Sequence, residues 1–65
     1  MDDRVPDFRL LRLRYRLSQE RLAAAAGVSQ TKLSRIERGV RDATPEEVAA
    51  ISRGLIRLSR RRATQ

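Results

Sequence analysis

Residues 18–39 read SQERLAAAAGVSQTKLSRIERG, a serine, a glycine, a second serine and a second glycine in fixed order, and this punctuation leaves the backbone little choice. Ser18 and Ser29 are helix N-cap residues by chemistry, since a serine hydroxyl accepts from the free N–H groups of a first turn, and Gly27 ends a helix in the left-handed region. Between Ser18 and Gly27 lie four consecutive alanines, which favour helix and let a neighbouring element come close. The sequence predicts a helix over 19–26, a single turn, and a second helix from Gln30 that Gly39 closes.

The flanks add two more helices. Asp7 caps a predicted helix 1 that runs to Arg16, and steps of about 100° per residue put Phe8, Leu11 and Tyr15 on one core-facing side with Arg12 at its edge. Leu17 leads into the next turn and is expected in the core. After a polar connector, VRDAT, Thr44 is an N-cap with Pro45 at the first helical position, and Glu46 and Glu47 suit the positive end of the helix dipole. Helix 4 directs Val48, Ile51 and Leu55 inward and is expected to be interrupted or frayed near Gly54. Residues 1–6 are expected to form an N-terminal arm, 7–58 the domain, and 59–65 a basic C-terminal tail. With no strand pattern and no internal repeat, the fold class is all-α, a compact bundle of four or five short helices.

Composition narrows the function. Sixty-five residues make one domain, and a chain without cysteine or histidine is expected to hold no disulfide and no zinc, so it stands on packing or on a partner subunit. No apolar run approaches the roughly 20 residues of a membrane span, and MDDRVPDF is acidic where a secretory signal is basic. A soluble, cytoplasmic protein with no membrane partner is expected. Fifteen basic residues against eight acidic give a net charge of +7, which calls for a polyanionic partner. All but one of the fifteen are arginine, which is also what a GC-rich genome writes, so position has to carry the argument. No catalytic group of histidine, cysteine or convergent carboxylates is present and no glycine-rich phosphate loop, so no enzyme, cofactor or small-molecule ligand is expected.

Two helices joined by a tight glycine-containing turn, the second with a polar outer face, form a helix-turn-helix. LSQERLAAAAGVSQTKLSRIERG resembles the phage repressor and Cro-type (XRE-like) DNA-binding domain, through Gln19, Leu22, Ala23, Gly27, Val28, Leu33, Ile36, Glu37 and Gly39 together. The resemblance covers about residues 8–55 and implies a lambda-repressor-like domain. The physics of these positions stands beside it: Ala23 must be small where helix 3 crosses helix 2, Gly27 supplies a positive φ, and Val28, Leu33 and Ile36 pin helix 3 to the domain.

With Gln30 at 0° and steps of about 100°, Ser34 falls near 40°, Arg38 near 80°, Thr31 near 100° and Arg35 near 140°, whereas Ile36 and Leu33 lie near 240° and 300°. One polar face results. Glutamine pairs with adenine, arginine forks onto guanine, and serine and threonine offer hydroxyls. The resemblance implies that Gln30, Thr31, Ser34 and Arg35 face bases of double-stranded DNA in the major groove. It also implies phosphate contacts from Ser18 and Gln19 at the start of helix 2 and from Ser29, Lys32, Arg38 and Arg41 around helix 3. In this family an arginine of helix 1 pairs with the glutamate near the end of helix 3, positions held here by Arg12 and Glu37.

Two departures bear on partners. Leu10 and Leu13 fall on the outer side of helix 1, where the family more often has charged residues, and would serve as a protein interface. Where related domains often continue into a fifth helix that pairs two subunits, Ile56 and Leu58 are followed here by SRRRATQ. The dimer surface is therefore expected to be missing, unusual or supplied by helix 4 and helix 1, although a lone recognition helix buries little surface and favours a homodimer on DNA. The function expected is sequence-specific DNA binding by a small transcriptional regulator, a repressor. The alternative is an antitoxin-like or adaptor module on the same fold with weak or no specific DNA binding. RNA binding is weaker still, since Phe8 and Tyr15 are both expected in the core and no stacking platform remains.

Overall fold

The structure, a computed structural model, describes residues 7–63, with side chains from Asp7 to Arg60. The N-terminal arm expected at 1–6 lies outside the described residues, as do Thr64 and Gln65. Four helices follow in order: α1 (Phe8–Arg14), α2 (Gln19–Ala26), α3 (Gln30–Glu37) and α4 (Pro45–Ala63). No strand occurs among the described residues, and the fold is an all-α helix-turn-helix domain with α2 and α3 as the motif. No described helix is long and apolar enough to cross a membrane.

Each helix starts where its cap is. Asp7 Oδ1 accepts from Leu10 N at 3.0 Å, Ser18 Oγ from Arg21 N at 3.1 Å, and Ser29 Oγ from Lys32 N at 3.0 Å. At Thr44 the cap is reciprocal: Thr44 Oγ1 accepts from Glu47 N at 3.1 Å, and Glu47 Oε1 accepts from Thr44 N at 3.0 Å. This capping box satisfies two otherwise orphaned N–H groups at once.

The α2–α3 turn depends on Gly27, whose φ of 76° is left-handed. A Cβ there would meet nothing within 4 Å, so the backbone angle alone demands glycine. Gly54 is a different case and corrects the sequence expectation. Instead of interrupting α4 it lies mid-helix, where a Cβ would stand 3.2 Å from Ala26 N and 3.4 Å from Ala25 Cβ. Its missing side chain lets α4 press against the alanines of α2, and α4 runs unbroken to Ala63 through positions expected in the tail.

The core is Phe8, Leu17, Leu22, Ala23, Leu33, Ile36, Ile51, Leu55 and Leu58, with Leu11, Val28 and Val48 packed against it. Leu22, Leu33 and Ile51 are wholly excluded from water, each contributing about 1.5–3 kcal/mol of apolar burial. Leu58 joins because α4 persists, completing Ile51, Leu55, Leu58 at one-turn spacing.

Tyr15 is not in the core: it is 38% exposed. The helical wheel fails there because α1 stops at Arg14. Arg16 N donates to Leu13 O and Leu17 N to Arg12 O, both at 3.0 Å, closing the helix in a Schellman pattern whose left-handed residue is Arg16 at φ 57°. Tyr15 is thereby left at the rim of a cleft between α1 and α4.

Candidate nucleic-acid interface

Leu33 and Ile36 root α3 in the core, so its other side is held outward. Gln30, Thr31, Ser34, Arg35 and Arg38 line one shallow groove there, joined by Gln19 from the first turn of α2. All four expected base readers are in this set. Gln30, Thr31, Arg35 and Arg38 are exposed and Ser34 is half-buried. None of these five side chains, four from α3 and Arg38 from its C-cap, is engaged in a hydrogen bond or ion pair among the described residues, so their donors and acceptors remain available.

The two helix N-termini add backbone donors. Ser18 and Ser29 are exposed, and each hydroxyl is already used in its cap. A first helical turn leaves several N–H groups without intrahelical partners and carries the positive end of the dipole, a fit for phosphate oxygens.

A buried carboxylate sets the angle between these elements. Arg12 donates from Nε to Glu37 Oε2 at 2.9 Å and from Nη2 to Glu37 Oε1 at 3.0 Å, while its Nη1 donates to Leu17 O at 2.9 Å. Gln19 Nε2 donates to Glu37 Oε1 at 3.0 Å. Glu37, the last residue of α3, thus ties α3 to α1 and to the first residue of α2, and Arg12 in turn holds the chain before α2 through Leu17 O. The side chains of Arg12 and Glu37 are 11% and 1% exposed. No buried side-chain polar atom lacks a partner among the described residues. The amide donor of Gln19 used on Glu37 fixes that side chain at the groove edge.

Lys32 and Arg41 are placed elsewhere. Both turn to Glu47: Lys32 Nζ lies 3.0 Å from Oε2, and Arg41 donates from Nη1 to Oε1 at 2.8 Å and from Nη2 to Oε2 at 3.2 Å. Lys32 sits near 200° on the wheel anchored at Gln30, beyond the polar face. The hydrogen bonds from Arg41, then the Thr44 N–H, then Lys32 hold the Glu47 carboxyl far below the usual carboxylate range. By its position in the first turn alone, Glu47 is only a partner of the helix dipole. The spacing of Thr44 and Glu47, threonine with glutamate three residues on, is the signal that finds its capping role.

Leu10 and Leu13 are exposed on the outer side of α1 and do not line the groove. Among the described residues no three histidine, cysteine or carboxylate side chains are grouped to hold a metal ion.

A family model described as helix-turn-helix matches residues 8–59, which take in all four helices up to the last turn of α4. No curated protein and no solved structure matches the chain.

Proposed function

The chain belongs to the phage-repressor and Cro-type helix-turn-helix family, whose members are DNA-binding transcription regulators, and we propose that it binds double-stranded DNA sequence-specifically by inserting α3 into the major groove. The observation that carries this is the outer face of α3, where Gln30, Thr31, Ser34 and Arg35 stand together in one groove, over a helix rooted by Leu33 and Ile36. Their chemistry matches base edges.

In this proposal Ser18, Gln19 and Ser29 meet phosphates through the α2 and α3 N-termini, and Arg38 reaches the backbone beside the groove. Lys32 and Arg41 serve as phosphate ligands once they leave Glu47. Arg12 and Glu37 hold α2 and α3 at the angle the duplex requires. The protein acts as a repressor by occupying a promoter or operator in the nucleoid, and as a homodimer on DNA, since one such helix buries too little surface for tight specific binding alone.

Selection of bound sites from a random duplex pool tests this directly. A palindromic motif is the expected result, and its half-site spacing reports the dimer. A pool with no enriched motif overturns the proposal. The exposure of Leu10 and Leu13 favours one second reading, an adaptor or antitoxin-like module that meets a protein through α1. Affinity for DNA without selectivity at any salt concentration supports that reading instead.

A further inference from the structure

Away from the α3 groove the molecule carries a second patterned surface. The cleft between α1 and α4 is lined by Leu11, Tyr15, Ser52, Leu55, Ile56 and Ser59. Ile56 is 54% exposed, although it lies one residue from the buried Leu55. It belongs also to an adjoining depression that it shares with Arg53, Arg57 and Arg60. On a helix these three arginines fall within about 60° of one another, a cationic strip running along the lip of the apolar cleft.

Like Arg35 and Arg38 of the α3 groove, and unlike the three ion-paired cations, the strip carries no counter-charge among the described residues. Arg12, Lys32 and Arg41 each have a carboxylate within ion-pair distance. Among the described residues no carboxylate pairs with Arg53, Arg57 or Arg60, and the sequence from Val48 to Arg62 contains no acidic residue.

Three kinds of occupant meet this surface differently. A nucleic acid satisfies the arginines and leaves Tyr15, Leu55 and Ile56 without apolar contact. A second copy, packed patch to patch about a two-fold axis, sets like charges against each other. An acidic segment with apolar teeth satisfies both halves. We propose that the α1–α4 cleft docks an acidic amphipathic helix of another protein, with its aliphatic side chains between Tyr15 and Ile56 and its carboxylates on Arg53, Arg57 and Arg60. Helix-in-groove recognition seats the apolar face of an amphipathic helix in an apolar channel, and a cationic lip selects a helix whose other residues are acidic. The surface shares no residue with the α3 groove, so partner and DNA bind the same molecule together.

The test uses the full chain and a fluorescent synthetic helix with leucines at one-turn spacing and glutamates between them. Expected are saturable binding, amide shifts centred on Leu11, Tyr15 and Ile56, and affinity reduced at least about tenfold by Ile56→Glu, by Arg53→Gln with Arg57→Gln, and in peptides with Glu→Gln or Leu→Ser. Circular dichroism checks that each variant folds, and Ile56→Ser replaces Ile56→Glu if the charge disturbs α4. Absence of saturable binding overturns the proposal, and so do shifts confined to Gln30, Arg35 and Arg38, which mark the peptide as a mere polyanion. A wild-type dimer that Ile56→Glu converts to monomer assigns the cleft to a second copy. Loss of duplex affinity in the Arg53→Gln, Arg57→Gln variant assigns it to nucleic acid.

Discussion

Glu47 Oε2 lies 3.0 Å from Lys32 Nζ, so the first residues of α4 hold a cation of α3 that would otherwise face solvent. Arg41 grips the same carboxylate from the connector. A carboxylate with two cations on it presents what a DNA phosphate presents, an anionic oxygen pair, and in the proposed complex it competes with phosphate for those cations.

Glu47→Gln is therefore expected to strengthen binding to duplex of any sequence and to steepen its salt dependence. Each additional phosphate neutralised adds about 0.9 to the slope of log K against log salt, so the slope grows by about one to two. Anisotropy titrations of a random-sequence duplex between low and moderate salt read both quantities. An unchanged slope would mean that Lys32 and Arg41 do not reach phosphate.

The same residue makes stability depend on pH. Hydrogen bonds from Arg41, the Thr44 N–H and Lys32 lower the folded-state value of Glu47 below that of the unfolded chain, whose usual value is 4.5. A lowered folded value stabilises the fold above the unfolded value, and that contribution is lost as pH falls below it. Thermal melts of the wild type and Glu47→Gln should differ most near pH 7 and converge on acidification below 4.5. A gap that stays constant down to pH 3 would show that the capping geometry, not the charge, carries the effect.

Arg12 and Glu37 make a more demanding pair, because Glu37 is almost wholly buried. Arg12→Met leaves the carboxylate with Gln19 as its remaining side-chain donor, and uncompensated burial of that kind costs about 3 kcal/mol. Replacing both, Arg12→Met with Glu37→Leu, is expected to recover most of the stability, because the desolvation cost disappears with the charge. Urea denaturation of the two singles and the double closes the cycle. DNA affinity of the refolded double variant should stay below wild type, since the angle between α2 and α3 is no longer fixed by Glu37.

Local chemistry explains which parts of this fold are legible in the chain. Capping is decided within a turn, so Asp7, Ser18, Ser29 and Thr44 mark helix starts from sequence alone, and Gly27 marks a stop. The groove is legible for a similar reason: helical periodicity sorts Gln30, Thr31, Ser34, Arg35 and Arg38 from Leu33 and Ile36 without knowledge of the neighbours. Tyr15 and Gly54 are not legible in this way. The burial of Tyr15 depends on where α1 stops, and it stops on an arginine that takes the place of the usual glycine. Gly54 resembles a helix breaker until Ala25 and Ala26 are brought against it from another helix. The hold of Glu47 on Lys32 spans α3 and α4 and needs the tertiary fold to bring the two together.

Arg16 offers a direct gain. A left-handed conformation costs a residue with a Cβ roughly 1–2 kcal/mol, and the exposed Arg16 side chain makes no hydrogen bond among the described residues that offsets it. Arg16→Gly should stabilise the domain by about 1 kcal/mol, raising Tm by about 4–8 °C. Calorimetry measures this, and a fall in Tm would show that the arginine stem contributes packing that its exposure conceals.

Arg35 bears most directly on the proposed reading of bases by the α3 groove. It is exposed, unpaired among the described residues, and beside Thr31 and Ser34 in the groove, so its guanidinium is free to fork onto a guanine. Arg35→Ala should then weaken binding to the selected site by about 1–3 kcal/mol and relax preference at one base pair, with little change on random duplex. Arg38→Ala should do the reverse, weakening both sequences alike and lowering the salt slope by about one. Competition titrations with the selected and random duplexes separate the two residues. Equal losses on both sequences for Arg35→Ala would move Arg35 to the phosphates and leave Gln30, Thr31 and Ser34 as the base readers.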